Sequence, residues 1–519
     1  FVANAASLFR EGGGTFSSQA EADYLFTIRS FETKIEQTVA SGIIQGDMFT
    51  MPNGSAVPLL LGYEFRRDSI LSVPNDIAAN GTLFASFTDQ GASGTRDLHE
   101  FFAETSVQFL KDKTWAEELT LDLGGRVTDE SSFDPHFTYS AKLLYRPTSY
   151  LMLRGTYGTS YRAPNLRERF LEGATGFQTF TDPCVVPNNA REATDLAQQN
   201  SPEVYLSDQD TRSNRVLDAC AADGVDPRSL GLEDGTGNAF FALGSAEIST
   251  GGSSLLEPET SRSFTYGVVF DQPFTDAFDL RFAVTYFDID IKNSISEPGY
   301  LFVVDECYDN ADQPNATSGF CGRIERDETG NLDTIDTTFI NAGQETSKGI
   351  DFNLTYEQDF EIGSENLNVS LDLAATYTKE RFFNILDSTD DIAGETDAPH
   401  WRANSLLTLR YNEFRFNWAS HFIQGGSEDP DEFDPDAVPC DGLPVSCRPI
   451  YFTTDYDVHD MSVSYGWDNY SITFGIKNVF NTAPPEVDDD GVFSLANVPL
   501  GIGYDLNGRT GFLTLEAKF

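Results

Sequence analysis

Leu367-Asn368-Val369-Ser370-Leu371-Asp372-Leu373-Ala374-Ala375-Thr376-Tyr377-Thr378 is the most regular stretch of this chain. Leu367, Val369, Leu371, Leu373, Ala375 and Tyr377 fall on one side of an extended backbone, with Asn368, Ser370, Asp372, Thr376 and Thr378 on the other. Successive side chains of a strand point to opposite faces, so the stretch predicts a strand with one apolar and one polar face. The same period of two runs through 118–128, 137–146 and 151–162. It returns less regularly at roughly 36–50, 55–70, 98–111, 260–273, 278–293, 346–357, 400–411, 414–425, 453–465, 470–480 and 509–519. About fifteen strands result, most of about ten residues or more. Soluble strands usually run to about five or six residues, whereas a tilted outer-membrane strand needs about nine to eleven. Length therefore favours an all-β fold, a transmembrane antiparallel β-barrel.

The connections between these strands alternate as well. Lys113-Thr114, Pro147-Thr148-Ser149 and Asn412-Glu413 make short turns, while 163–259, 294–340, 382–399, 426–450 and 482–507 are long and irregular. Short turns on one rim and long extracellular loops on the other are the pattern of an outer-membrane barrel. Aromatic residues near strand ends (Phe101, Phe102, Trp115, Tyr145, Tyr150, Tyr161, Phe274, Phe278, Trp401, Trp467 and Tyr470) predict a girdle at the headgroup layer.

Composition excludes other classes. The 519 residues carry 34 Lys+Arg against 82 Asp+Glu, a formal net charge of −48, which opposes nucleic-acid binding because phosphates need a cationic surface. A hydrophobic content of 40%, with 13% aromatic, is too rich for a disordered chain. No apolar run approaches the length of about eighteen residues that a membrane-spanning helix needs. The chain opens on Phe1 without the basic and apolar segments of a signal peptide, so any such peptide is expected outside it.

Six cysteines fall into three close pairs inside long loops, Cys184/Cys220, Cys307/Cys321 and Cys440/Cys447. Local disulfides close the smallest loops, require no contact between loops, and suit an oxidising exterior. Zinc is the rival reading, but none of the five histidines lies near a cysteine pair. Acidic residues cluster at 387–397, 428–436 and 486–490. Asp429, Asp431, Glu432, Asp434 and Asp436 are the best candidates for a structural Ca²⁺, although Pro430 and Pro435 break any EF-hand geometry and a solvated, self-repelling loop is the favoured reading. No other cofactor is expected. Neither Gly-x-Ser-x-Gly nor a phosphate-cradling loop is present, and no catalytic constellation stands out, so an enzyme is not expected.

Three motifs resemble those of TonB-dependent outer-membrane receptors. Gly158-Thr159-Ser160-Tyr161-Arg162-Ala163-Pro164-Asn165-Leu166-Arg167-Glu168 is similar to a stretch inside their barrels. Tyr286-Phe287-Asp288-Ile289-Asp290-Ile291-Lys292, followed by Asn341-Ala342-Gly343 and Lys348-Gly349-Ile350-Asp351, resembles a mid-barrel strand pair. Lys477-Asn478-Val479-Phe480-Asn481-Thr482 with Pro484, then Gly508-Arg509 and the terminal Phe519, looks like the family's closing signature. The residues themselves have physical roles too. Pro484-Pro485 cannot extend a ladder, Ala163-Pro164 ends a strand, and Arg162 and Glu168 either pair at the rim or stand solvated.

The resemblance implies a barrel of about 22 strands, so about seven strands and the N-terminal plug are expected to lie outside this chain. Residues 1–519 are read as one partial barrel domain. It further implies residence in the bacterial outer membrane, among lipid and lipopolysaccharide. Also implied are energy coupling to TonB–ExbB–ExbD and active import of a large, scarce extracellular nutrient. Disulfide-pinned loops suit an oligosaccharide or peptide, with a surface lipoprotein as a further partner. A ferric siderophore or other metal chelate is the alternative, and the acidic loops weigh against an anionic ligand. A passive porin or structural surface protein, and a soluble acidic β-propeller or sandwich enzyme, are the readings from other classes.

Overall fold

The computed structural model describes residues 26–82, 88–195, 200–236, 243–308, 319–385, 388–427, 452–487, 494–495 and 497–518. Fifteen strands join in chain order into one sheet, each antiparallel to the next. They are Phe31–Thr50, Ala56–Pro74, Ala92–Lys113, Ala116–Glu130, His136–Thr148, Leu151–Arg162, Glu259–Asp271, Asp279–Ser296, Ile340–Ile362, Glu365–Ile385, Trp401–Tyr411, Phe414–Ile423, Tyr456–Trp467, Tyr470–Lys477 and Thr510–Ala517. A short strand, Ser388–Asp391, folds back on Glu365–Ile385. Among the described residues the first and last wall strands each have one neighbour.

The opening stretch shows how the sequence fixes the register. Leu373 lies opposite Leu354, which lies opposite Phe282, and two same-face steps along Tyr377 lies between Ile350 and Trp401. Slipping by one residue would turn each apolar row inward and each polar row toward lipid, so alternation locks the pairing. The outward row includes Phe101, Phe137, Tyr266, Val463 and Leu513, all exposed. A continuous apolar wall of this kind has lipid as its solvent. The inward face holds ion pairs, such as Arg96–Asp68 and Arg126–Glu100.

Every second connection is short, two residues in most cases and seven at most, at 272–278. Asn412, Asp468 and Gly363 open two-residue turns with φ of 52°, 48° and 70°, a left-handed conformation that Asn, Asp and Gly tolerate best. Several strands, Ala92–Lys113 among them, run longer than the periodicity indicates, while those from Trp401 onward are slightly shorter. As one result, Phe102 leaves the expected girdle: it sits mid-strand on the inner face, its ring over Gly62, where a Cβ would come within 2.1 Å of it.

Two of the expected irregular loops are instead folded together. Ala174–Thr181 and Leu243–Thr250 from 163–259 form a four-stranded sheet with Ile324–Arg326 and Leu332–Asp336 from 294–340. Helices Asn214–Ala222 and Tyr300–Tyr308 pack against it around Val216, Ala246, Val303 and Ile335. This crown has its own apolar core. Its elements are too short to show a period in sequence, and the core they bury is shared between the two loops. The expectation that 163–259 and 294–340 are irregular is therefore corrected.

Candidate functional site

The crown meets the wall at a cluster of polar side chains. Strand Leu151–Arg162 stops just before Ala163-Pro164, and helix Leu166–Phe170 follows at once. Asn165 caps it: its side chain accepts from the backbone N–H groups of Arg167 and Glu168, while Glu168 accepts from the N–H of Asn165 at 2.6 Å. This reciprocal capping box explains why the motif spaces Asn and Glu three apart. Glu168 is buried and takes Arg162 Nη1 on both oxygens at 3.0 Å. Arg162 also donates to Glu259 through Nε and, at 2.6 Å, through Nη2. Arg96 donates to the carbonyl of Pro164 at 2.8 Å.

Glu259 extends the cluster to the second loop by accepting from the Ile295 N–H at 2.7 Å. Asn341, from the second motif, accepts from Glu257 N–H and donates to the carbonyls of Glu257 and Asn293. The roots of both long loops are thus bonded to one another. Beside this cluster the inner wall forms a recess of about 300 Å³ lined by Arg66, Arg96, Arg126, Thr128, Ser160 and Arg162. Each guanidinium is anchored to a carboxylate.

Within the crown a second polar cluster is buried. Arg326 donates to Asp182 through Nη1 (2.8 Å) and Nη2 (3.1 Å), to Asp223 through Nε (2.7 Å), and to the Tyr308 hydroxyl through Nη2 (2.8 Å). Tyr308 donates in turn to Asp223 at 2.5 Å. Burial above all pushes the Tyr308 hydroxyl well above its ordinary value and keeps it a donor. Burial alone would lower Arg326, but the hydrogen bonds and charge of Asp182 and Asp223 outweigh it and hold the guanidinium ionised. Disulfides Cys184–Cys220 and Cys307–Cys321 flank this cluster, one within each loop.

The closing signature gathers in space. Asn478, fully buried and left-handed, donates to Thr482 O at 2.8 Å and accepts from Thr482 N–H at 2.7 Å. Asn481 accepts from Arg509 N–H at 3.1 Å, and Gly508, at φ 66°, passes so close that a Cβ would stand 3.3 Å from the Asn481 oxygen. Pro484 follows in the connection after strand Tyr470–Lys477. Cys440, Cys447, Phe519 and the acidic run Asp429, Asp431, Glu432, Asp434 and Asp436 lie outside the described residues. Among the described residues no group of three or more His, Cys, Asp or Glu is placed to hold a metal ion.

Sequence reasoning missed three things here: Arg326 and its partners, Glu259 as the link between loops, and a cluster of Ser420, His459 and Asp457 on the outer wall. Arg326 is separated from Asp182 by more than a hundred residues, and no local pattern marks either. His459 and Ser420 face each other across neighbouring strands.

A wall of alternating strands, apolar outside and polar inside, with tight turns on one rim and elaborated loops on the other, defines an outer-membrane β-barrel. The chain belongs to the TonB dependent receptor-like, beta-barrel family, whose pattern matches residues 4–479, and so to the bacterial outer membrane. It is similar in fold to a variant of the ferric enterobactin receptor of Pseudomonas aeruginosa in complex with enterobactin (15% identity, TM-score 0.53), covering 94% of this chain and 55% of that one. It is likewise similar to the siderophore receptor PirA of Acinetobacter baumannii (13% identity, TM-score 0.53), again over 94% and 55%. The chain thus spans just over half the length of the solved structures it matches. No curated protein sequence matches it.

Proposed function

We propose that this chain forms the receptor wall of an energised importer whose ligand is a ferric siderophore or a similar metal chelate. The observation that carries the ligand class is the arginine-lined recess under the crown. Chelates that wrap a hard cation do so with anionic oxygens, and guanidinium groups recognise such oxygens by paired N–H donors. Arg126 engages Glu100 through one nitrogen, so further donors stay available to a ligand. The recess differs from the acidic loops, which would repel an anion: here carboxylates only anchor the arginines. The ligands named for the two fold neighbours point the same way. Neutral hydroxyls at Thr128, Thr138, Thr159 and Ser160 also line the recess, so it is the four guanidinium groups, not a lack of neutral partners, that favour the chelate over an oligosaccharide or peptide. Transport itself is proposed to depend on TonB with ExbB and ExbD.

Uptake of radiolabelled iron chelates by cells carrying the complete receptor tests both parts. Accumulation that needs TonB and falls at least tenfold in Arg126→Ala supports the proposal. Uptake that ignores the loss of TonB refutes energised import, and saturable binding of oligosaccharides with none of chelates refutes the ligand class.

A further inference from the structure

The outer wall carries a polar cluster where lipid is the solvent. Ser420 Oγ lies 2.7 Å from His459 Nδ1, and Trp418 Nε1 donates to the same nitrogen at 3.1 Å. Because Nδ1 accepts, the neutral imidazole carries its proton on Nε2, and Asp457 Oδ2 lies 3.0 Å from that atom. Ser420, Trp418 and Phe416 share a face with Phe414, whose ring is exposed, and they pair across to His459, Met461, Val463 and Tyr465. The face is therefore the apolar one, directed to lipid. Unpaired polar groups there are costly, yet this row places a hydroxyl, an imidazole and a carboxylate in succession. Asp457 keeps 48% of its side-chain surface open and His459 keeps 19%, with Phe480 edge-on to the imidazole.

Depth matters as much as geometry. His459 lies eight residues before the end of strand Tyr456–Trp467, at the tight turn. At a rise of about 3.3 Å per residue and a tilt of about 40°, this puts it roughly 20 Å above the short-turn rim of an apolar band about 25 Å tall. The outer edge of that band is where acyl chains meet headgroups and where lipid ester carbonyls lie.

We propose that Ser420, His459 and Asp457 form an esterase site for long-chain carboxylic esters of outer-leaflet lipids. Ser420 Oγ adds to the ester carbonyl carbon as its proton passes to His459 Nδ1. The carbon–oxygen bond to the lipid alcohol then breaks, and the alcohol leaves with that proton. Water then adds to the acyl-serine carbonyl as it gives a proton to the same nitrogen; the carbon–Oγ bond breaks and that proton returns to Ser420 Oγ, leaving a carboxylic acid and the free site. No oxidant or reductant is needed. Asp457 holds the imidazole ring and balances the imidazolium. Once Nδ1 is protonated it no longer accepts from Trp418, and the indole N–H is released toward the oxyanion forming beside it.

The test uses the folded wild-type receptor in detergent, with heat-modifiable migration as the check on folding. A fluorophosphonate probe is expected to label Ser420, located by peptide mass. Labelling should vanish in Ser420→Ala and slow at least a hundredfold in His459→Gln, both variants retaining heat-modifiable migration. In mixed micelles, release of fatty acid should exceed that of Ser420→Ala at least tenfold. Diacyl phosphatidylethanolamine and lipid A, offered separately, reveal which lipid supplies the ester. Absence of label on Ser420 in folded protein overturns the proposal. So does labelling equally fast in His459→Gln, or no fatty acid from either lipid above the Ser420→Ala level.

Discussion

Replacing Arg326 by Met removes the cation that pairs with both Asp182 and Asp223; Tyr308, itself a donor to Asp223, is no substitute for it. The side chains of Arg326, Asp182 and Asp223 are 6%, 7% and 11% exposed, so water cannot take its place. Losing one member of a buried ion cluster typically costs about 3–5 kcal/mol, chiefly because the remaining charges stay buried without a counterion. Here two carboxylates are stranded, and Tyr308 can still donate to only one of them. The cost falls on the crown, since Asp182 and Asp223 belong to the first long loop and Arg326 to the second. Hydrogen–deuterium exchange should therefore show amides of 324–326, 332–336 and 214–222 exchanging roughly two to three and a half decades faster, at a factor of ten per 1.4 kcal/mol. Exchange in the wall strands and heat-modifiable migration should not change. Adding Asp182→Asn and Asp223→Asn should recover much of the protection, because no buried charge is then left over. An Arg326→Met crown protected like the wild type would refute the reasoning, as would a triple variant no better than the single one.

Four further outcomes follow from the same structure. Cys184→Ser, which opens a 36-residue loop, should cost the crown about 4 kcal/mol by the chain-entropy estimate and leave the wall intact, read by limited proteolysis between 184 and 220. Glu168→Ala removes the reciprocal half of the capping box and the Arg162 contact, leaving the Asn165 cap itself; a loss of about 2–4 kcal/mol should appear as faster exchange at 165–171. Asn478→Ala loses two buried hydrogen bonds and a favourable left-handed residue, and a midpoint for loss of heat-modifiable migration lowered by several degrees checks it. Asp210 titrates at about 2, held down first by the Arg212 hydrogen bonds; its stabilising effect is complete above its ordinary value near 3.8 and fades as pH falls through 2, so proteolysis of the 205–230 segment should rise only below about pH 4.

The wall was legible because its rule is local. Each run such as 367–378 states its own strand, face and length, and lipid outside with polar lumen inside leaves no ambiguity about which side is which. The family motifs were legible as spacing, and their geometry supplies the reason: Asn165 and Glu168 stand three apart because a capping box requires it. The crown was not legible. Its strands are three to eight residues long, and Leu332–Asp336 runs parallel to a strand some eighty residues earlier. Nothing in 294–340 alone indicates that its apolar residues complete a core begun in 163–259. The same limit hid Ser420 and His459, which only cross-strand register brings together.

These two halves of the molecule are held by different forces, and that difference decides how each fails. Between wall strands inside a bilayer the hydrophobic effect has little to act on, because the outward side chains are equally apolar surroundings to one another and to lipid tails. The ladder hydrogen bonds carry the wall, since an unpaired backbone group in lipid is severely penalised. Above the membrane the solvent is water, so the crown behaves as a small soluble protein: a modest core around Val303 and Ile335, disulfides for the size that core lacks, and one buried ion cluster that fixes which loop surfaces meet. Glu259 sits where these regimes join, bonded to Arg162 of the wall and to the Ile295 N–H at the root of the second loop. Reductant and mutation of Arg326 should therefore loosen the crown on an intact wall. Weakening Glu259 should instead leave both halves folded and change only how firmly the crown is seated over the arginine-lined recess.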